Sequence, residues 1–344
     1  MTVSAIVLAA GEGSRMRSAR PKPLHQICGR PMVMHVIHAL ADVEIDRTVV
    51  VVGHGAERVT KKVQEQAPGW AHVTFGDDLD DNSTIIVLPG DTPLLRNDTL
   101  QLLVATHLSS GNAATAITSV LDDPTGYGRV LRAPSKLGDG RVLQVVEQRD
   151  ASVETLAIRE VWTSMCAFRR DLLGPALRRL SPDNSQGEYY LTDVVEVLAG
   201  MGHQIGTVQA PEEETSGVND RWQLALAERE LRSRTNRHWL LNGVTMLDPR
   251  QTFIDVTVQL GRDVTLYPGT ILQGNTVVGD GCEIGPDTRL IDCVVGSGAT
   301  VENSVGRDSE IGDDAHVGPY AYLAPGASVP SSASTGAFYT GPAD

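Results

Sequence analysis

The chain has 344 residues and a formal net charge of −14, so one large or two ordinary domains with ample core are expected. The acidic balance argues against a nucleic-acid surface or an anionic membrane as partner, but leaves small anionic substrates open, because a local basic site overcomes an acidic global field. Cys28, Cys166, Cys282 and Cys293 lack paired metal spacing and read as reduced thiols of a cytoplasmic protein; no signal peptide or membrane span is apparent.

The apolar run Val3 to Leu8 predicts a buried parallel strand, ending in Ala9, Ala10, Gly11 and Gly13. Such small residues let a backbone approach a ligand, and their N–H groups cradle phosphate oxygens. Arg15 and Lys22 follow and add positive charge. Met16 stands where a dinucleotide fingerprint needs its third glycine, and the Gly-Lys-Ser/Thr of a Walker A loop is absent. Residues 48–52 and 84–88 are further short apolar runs, separated by helical patterns around Met32–Leu40 and Ala56–Gln66. This alternation predicts a Rossmann-like α/β domain, whose ligands sit beyond the carboxyl ends of the strands.

Gly90 and Asp91 lie at such a strand end, in LPGDTPLL. Gly-Asp alone reads as a turn; facing the glycine loop, Asp91 suits Mg²⁺, which takes one or two protein oxygens and substrate phosphates. In DDPTGYGRV, Gly126 and Gly128 frame a turn, and Gly128 lets backbone approach a sugar or base. VVEQRDA puts Glu147 at a strand end, either solvated or accepting bonds from sugar hydroxyls. NSQGEYYLTDVV turns from polar to aromatic to helical, and by themselves Tyr189 and Tyr190 read as packing residues. GVNDRWQLALAE opens a helix capped by Asn219 or Asp220 and running to about Leu241.

Beyond Gly243 the period changes. Ile254, Leu260, Leu266, Leu272, Val278, Ile284 and Leu290 recur every six residues; Val305, Ile311, Val317, Leu323 and Val329 continue in a shifted register. This is the hexapeptide signature of a parallel β-helix. Hexapeptide proteins resemble left-handed β-helices that assemble as trimers.

The string Leu8 to Leu24, LAAGEGSRMRSARPKPL, resembles the signature of the sugar nucleotidyltransferases. Its continuation PKPLHQICGRPMVMHVI is similar to the bacterial bifunctional enzymes that pair N-acetylglucosamine-1-phosphate uridyltransferase with glucosamine-1-phosphate acetyltransferase. The resemblance implies an α/β fold: a nucleotidyltransferase domain with a mixed, mainly parallel sheet (1–219), a connecting helix (220–245), a short left-handed parallel β-helix (246–330) and a tail (331–344). It implies Mg²⁺-dependent joining of a nucleoside triphosphate, UTP first, to a sugar 1-phosphate, N-acetylglucosamine 1-phosphate first, with release of pyrophosphate. Another base or sugar, or a catalytically weak regulatory homologue, are the alternatives. Arg15 and Lys22 would be catalytic. Leu8, Ala9, Ala10, Gly11, Gly13, Gly90, Gly128, Glu147 and Asn219 would bind substrate, and Asp91 and Asn219 the metal. The family carries a string nearly identical to NSQGEYYLTDVV close to its sugar site, which gives Tyr189 and Tyr190 a second reading as part of that site. A cytoplasmic homotrimer is expected.

Three departures qualify the likeness. The family's base-contacting segment is missing between Val73 and Thr84, where an acidic run of Asp77, Asp78, Asp80 and Asp81 stands instead. In EVWTSM, Trp162 replaces the family's sugar-contacting Asn and Ser164 its Gly. The Leu-Arg-Pro-Gly string reads LAPG, with Ala324 for Arg, and the later acetyltransferase residues have no counterpart, so no acetyl transfer is expected.

Overall fold

The computed structural model describes residues 2–74, 83–134 and 140–341. They form two compact units: Met1–His25 with Pro31–Leu224, and Gln26–Arg30 with Ala225–Asp344.

The first unit is built on a nine-stranded sheet with β1 (Val3–Ala9) at its centre. β1 pairs in parallel with β2 (Arg47–Val52) and β3 (Thr84–Pro89), Leu8 lying between Val51 and Pro89. Helices α1 (Met32–His38), α2 (Ala56–Gln66) and α3 (Asn97–Ser110) connect and follow these strands. α2 shows why: Val59 and Val63, one turn apart, are its buried residues, while Lys61, Lys62 and Glu65 stay at least partly in water. Beyond β3 come β4 (Ala114–Val120), β5 (Gly128–Arg132), β6 (Val142–Val146) and β7 (Glu160–Arg169). β7 runs antiparallel between β3 and β4, and β5 and β6 hang from it as an antiparallel pair. α4 (Arg170–Leu177), α5 (Asp193–Gly200) and β8 (Ile205–Gln209) follow, β8 parallel to β4. One core layer collects Val33, Ile37, Val59, Val63, Leu100 and Leu103. The other collects Phe168, Leu173, Val194, Val195 and Leu198. The sheet is mixed and mainly parallel, as expected.

α6 (Arg221–Leu241) leads into the second unit. There, two- and three-residue strands stack into three parallel sheets, the walls of a left-handed β-helix. Met246, Leu266, Ile284, Val301 and Val317 point inward from one wall, Leu272, Leu290 and Leu323 from the next, Val278, Val295, Ile311 and Val329 from the third. The shifted register has a simple cause. The steps from Leu290 to Val295, Val301 to Gly306 and Gly306 to Ile311 are each one residue short, so Gly306 rather than Val305 stacks beneath Leu290. A Cβ on Gly306 would meet Leu290 Cδ2 at 3.0 Å and Cys293 Sγ at 3.2 Å, so glycine fits the shortened coil. Buried hydroxyls line one corner: Thr270 donates to the carbonyl of Ile284 (3.0 Å) and Thr288 to that of Val301 (3.2 Å). Pairing runs to Thr340–Gly341, which lies against Tyr322–Leu323. No helix among the described residues is long and apolar enough to cross a membrane.

Candidate active site

The end of β1 is pinned between its neighbours. Gly90 N–H donates to Leu8 O (2.8 Å), and His54 N–H to Ala10 O (3.2 Å). A side chain at Gly90 would sit 2.9 Å from Leu8 O, so the close approach requires glycine. The Leu8 side chain is 41% exposed, next to its paired, equally exposed Val51, an apolar ledge at the carboxyl edge of the sheet. Ala10 is exposed too, and Gly11 faces open space. Gly13 has φ +66° and leans on Lys22, whose Cβ would be 2.5 Å from a Cβ there. The turn Ser14–Met16 that follows buries Met16 and leaves Arg15 outward. Arg221 closes the turn from below, donating to Met16 O (3.2 Å). It lies beside His25, whose basicity burial lowers first and Arg221 further.

Four of the expected residues converge. Lys22 Nζ contacts Asp91 Oδ2 and donates to Asn219 Oδ1 (2.9 Å); Arg15 Nη2 donates to the same amide oxygen (2.9 Å). Lys22 is 13% exposed and Asp91 26%, so the cluster is sheltered but open to a ligand. Backbone positions it: Val218 N–H donates to Asp91 O (2.9 Å), which sets Asn219 alongside the end of β3. Asp220, not Asn219, caps α6, through Gln223 N–H (2.8 Å), leaving the Asn219 amide for the cluster. Asp91 and Asn219 thus point two hard oxygens at one cation, here the lysine ammonium. That donor set fits Mg²⁺, with phosphates completing its shell. Among the described residues no three His, Cys, Asp or Glu side chains gather to hold a metal.

Gly128 and Glu147 meet next door. A Cβ on Gly128 would lie 3.4 Å from Glu147 Oε1, which accepts a bond from Thr192 Oγ1 (3.1 Å). Burial raises the pKa of Glu147, and the Thr192 bond offsets part of the rise. Tyr127 borders both groups. Burial raises the pKa of its phenol, and the nearby Gly217 backbone and Ser216 side chain offset part of the rise. Gly217 lies two residues before Asn219, so the turn carrying Gly128 is close to the segment carrying Asn219. Neither Tyr127 nor Thr192 stood out in the sequence; only the GYG turn and the YYLTD string hinted at them. Tyr189 is solvent-exposed, while Tyr190 accepts from Gln186 (2.6 Å). Trp162 pairs with Gly128 across β7 and β5 and is buried. Ser164 takes φ +62° where the register between Trp162 and Cys166 shifts, a conformation that suits glycine. The acidic run that stands in place of the family's base-contacting segment, Asp77, Asp78, Asp80 and Asp81, lies outside the described residues. The arrangement can therefore align anions against Arg15 and Lys22.

A family model described as a MobA-like NTP transferase domain matches residues 5–197. Among curated relatives, the bifunctional protein GlmU of Caldanaerobacter subterraneus subsp. tengcongensis is 43% identical over 310 residues, 87% of this chain and 67% of the relative. That of Geobacillus sp. (strain WCH70) is 42% identical over 318 residues, 89% and 68%. That of Thermobifida fusca is 45% identical over 323 residues, 88% and 66%. The chain thus spans about two thirds of the length of these relatives.

Proposed function

Since the chain belongs to the GlmU family and carries a MobA-like NTP transferase domain, it is a nucleotidyltransferase acting on a sugar phosphate, and we propose that it uses Mg²⁺ to join UTP to a sugar 1-phosphate with release of pyrophosphate. The observation that carries this reading is the convergence of Arg15, Lys22, Asp91 and Asn219 beside the glycine loop. The loop from Leu8 to Gly13 takes the nucleotide, with Gly90 keeping the strand ends close. Arg15 and Lys22 neutralise the triphosphate, so that the sugar phosphate oxygen approaches the α-phosphorus without charge repulsion. Asp91 and Asn219 would hold the metal, which supplies charge neutralisation when bound. Gly128 and Glu147 orient the sugar.

N-acetylglucosamine 1-phosphate is the first acceptor to test, on the family likeness. Another sugar is the second reading, favoured by Trp162 at the sugar end. We further propose a cytoplasmic homotrimer, and a division into a transferase domain (1–219), a connecting helix (220–245), a β-helix (246–330) and a tail (331–344) that adds the strand Thr340–Gly341 to one wall of the β-helix. A pyrophosphate-release screen of the five common nucleoside triphosphates against sugar 1-phosphates in Mg²⁺ tests the reading. Turnover with UTP supports it, and no turnover with any pair overturns it.

A further inference from the structure

Trp162 is the one departure from the family pattern that the site itself absorbs. It stands in β7 directly opposite Gly128 of β5. On the other side of β5, Arg129 pairs with Val146 of β6, which brings Glu147 beside Gly128. Directly paired residues of antiparallel strands project to the same face. An indole and a carboxyl therefore flank a glycine that contributes no side chain of its own. The indole is 3% exposed and shares a core cluster with Val130 and Val145 of the same two strands. Val145 Cγ1 lies 2.9 Å from where a Cβ on Gly128 would stand, so the row holds a glycine there. One neighbour of Gly128 in this row is thus an aromatic packed into the core, with no carboxylate or amide to offer. The other is a half-buried carboxyl whose hydrogen-bond partner within the protein is Thr192.

We infer that Trp162 determines which sugar 1-phosphate is accepted: the indole fills room beside Gly128, so the preferred acceptor turns a hydroxyl or an amine, not a bulkier acetamido group, toward Glu147. This rests on the nucleotidyl-transfer reading and on Gly128 and Glu147 facing the sugar. Two physical terms point the same way. Replacing indole by a short amide removes more atoms than an acetamido group adds over a hydroxyl, so size alone discriminates. A carboxylate rewards a compact donor, whereas an acetamido carbonyl finds no donor on the indole face and loses its hydration unpaid.

The test is steady-state pyrophosphate release by the full chain, with glucose 1-phosphate, glucosamine 1-phosphate and N-acetylglucosamine 1-phosphate compared at saturating nucleoside triphosphate. Wild type should favour an unacetylated sugar by ~tenfold or more in kcat/KM. Trp162→Asn should move that ratio ~tenfold toward the acetylated sugar. The change should lie in the KM for sugar, with the KM for nucleotide unchanged. Trp162→Phe should fall between. A wild-type preference for the acetylated sugar, or a variant that slows all three sugars by one factor, overturns the inference. If Trp162→Asn does not fold, Trp162→Phe and the wild-type ranking decide. If wild type turns over no pair, the transferase reading fails by itself. Calorimetric binding of the three sugar phosphates to wild type then judges the inference: the same ranking upholds it, and no binding or a reversed ranking overturns it.

Discussion

On the proposed reading, Asp91 is the residue on which the chemistry leans hardest. Its carboxylate ends β3, meets Lys22 and shares the cluster with Asn219. Asp91→Ala should lower kcat/KM for pyrophosphate release by roughly 10²–10³-fold, about 3–4 kcal/mol, while thermal unfolding stays within a few degrees of wild type. Turnover near wild type would remove Asp91 from the site. Glu147 carries a different expectation. Burial raises its pKa, so its ionisation costs stability as pH rises from the unfolded carboxyl value through the raised folded one. Glu147→Gln should therefore melt higher than wild type at neutral pH, melt alike at pH 3, and bind sugar phosphate more weakly. His107 has the opposite sign. His107 Nδ1 lies 3.0 Å from the Thr115 hydroxyl, which also accepts from Asn112 (3.1 Å). Burial first, and Arg169 second, lower the His107 pKa to about 4. Between the ordinary value of 6.5 and about 4 the unfolded chain binds a proton that the folded chain refuses. Stability should fall by at most about 3 kcal/mol as pH drops through that window. Urea unfolding of His107→Leu from pH 7 to 4 should show a shallower decline.

At the level of elements, the shortened coil of the β-helix is the tightest constraint. Gly306→Val should cost about 1–3 kcal/mol by overpacking against Leu290, Cys293 and Ser309, read as a lower urea midpoint. Much of the fold was legible before any coordinate. The apolar runs at 3–8, 48–52 and 84–88 became β1, β2 and β3 nearly residue for residue, because strands buried on both faces have continuous apolar runs. The six-residue period named the β-helix because its inward positions tolerate only aliphatic or small residues. The glycine loop and Gly90-Asp91 were legible as one site because parallel sheets gather strand ends. What could not be read was register. That Trp162, Gly128 and Glu147 share a row depends on how β5, β6 and β7 pair, which no local pattern specifies. The five-residue steps were hidden for the same reason, since a missing turn residue leaves the apolar set intact but displaced. Tyr127 escaped notice because its neighbours, Ser216 and Gly217, lie far away in sequence.

For the molecule as a whole, the β-helix exposes a paired column of apolar side chains. Val277 and Val294 are 41% and 51% exposed on one wall and stacked in register. If that wall packs against a second copy, light scattering should give a trimer mass for wild type and a monomer for Val294→Asp; a monomeric wild type at micromolar concentration would discount the assembly. The division into two units has a further consequence, which concerns how the chain folds. The second unit includes Gln26–Arg30, a segment made early in synthesis. There Cys28 N–H donates to Glu228 (2.7 Å) and Cys28 O accepts from Val256 N–H (3.0 Å). During translation that segment waits about 10–40 s for its partners, at roughly 5–20 residues per second. The first unit must meanwhile fold around a loop whose own bonds are unmade. Residues 225–344 expressed alone would in turn lack the strap that satisfies Val256. The two units are therefore sewn together by chain connectivity, and calorimetry should find one endotherm for the full chain in place of the two that separable domains would give.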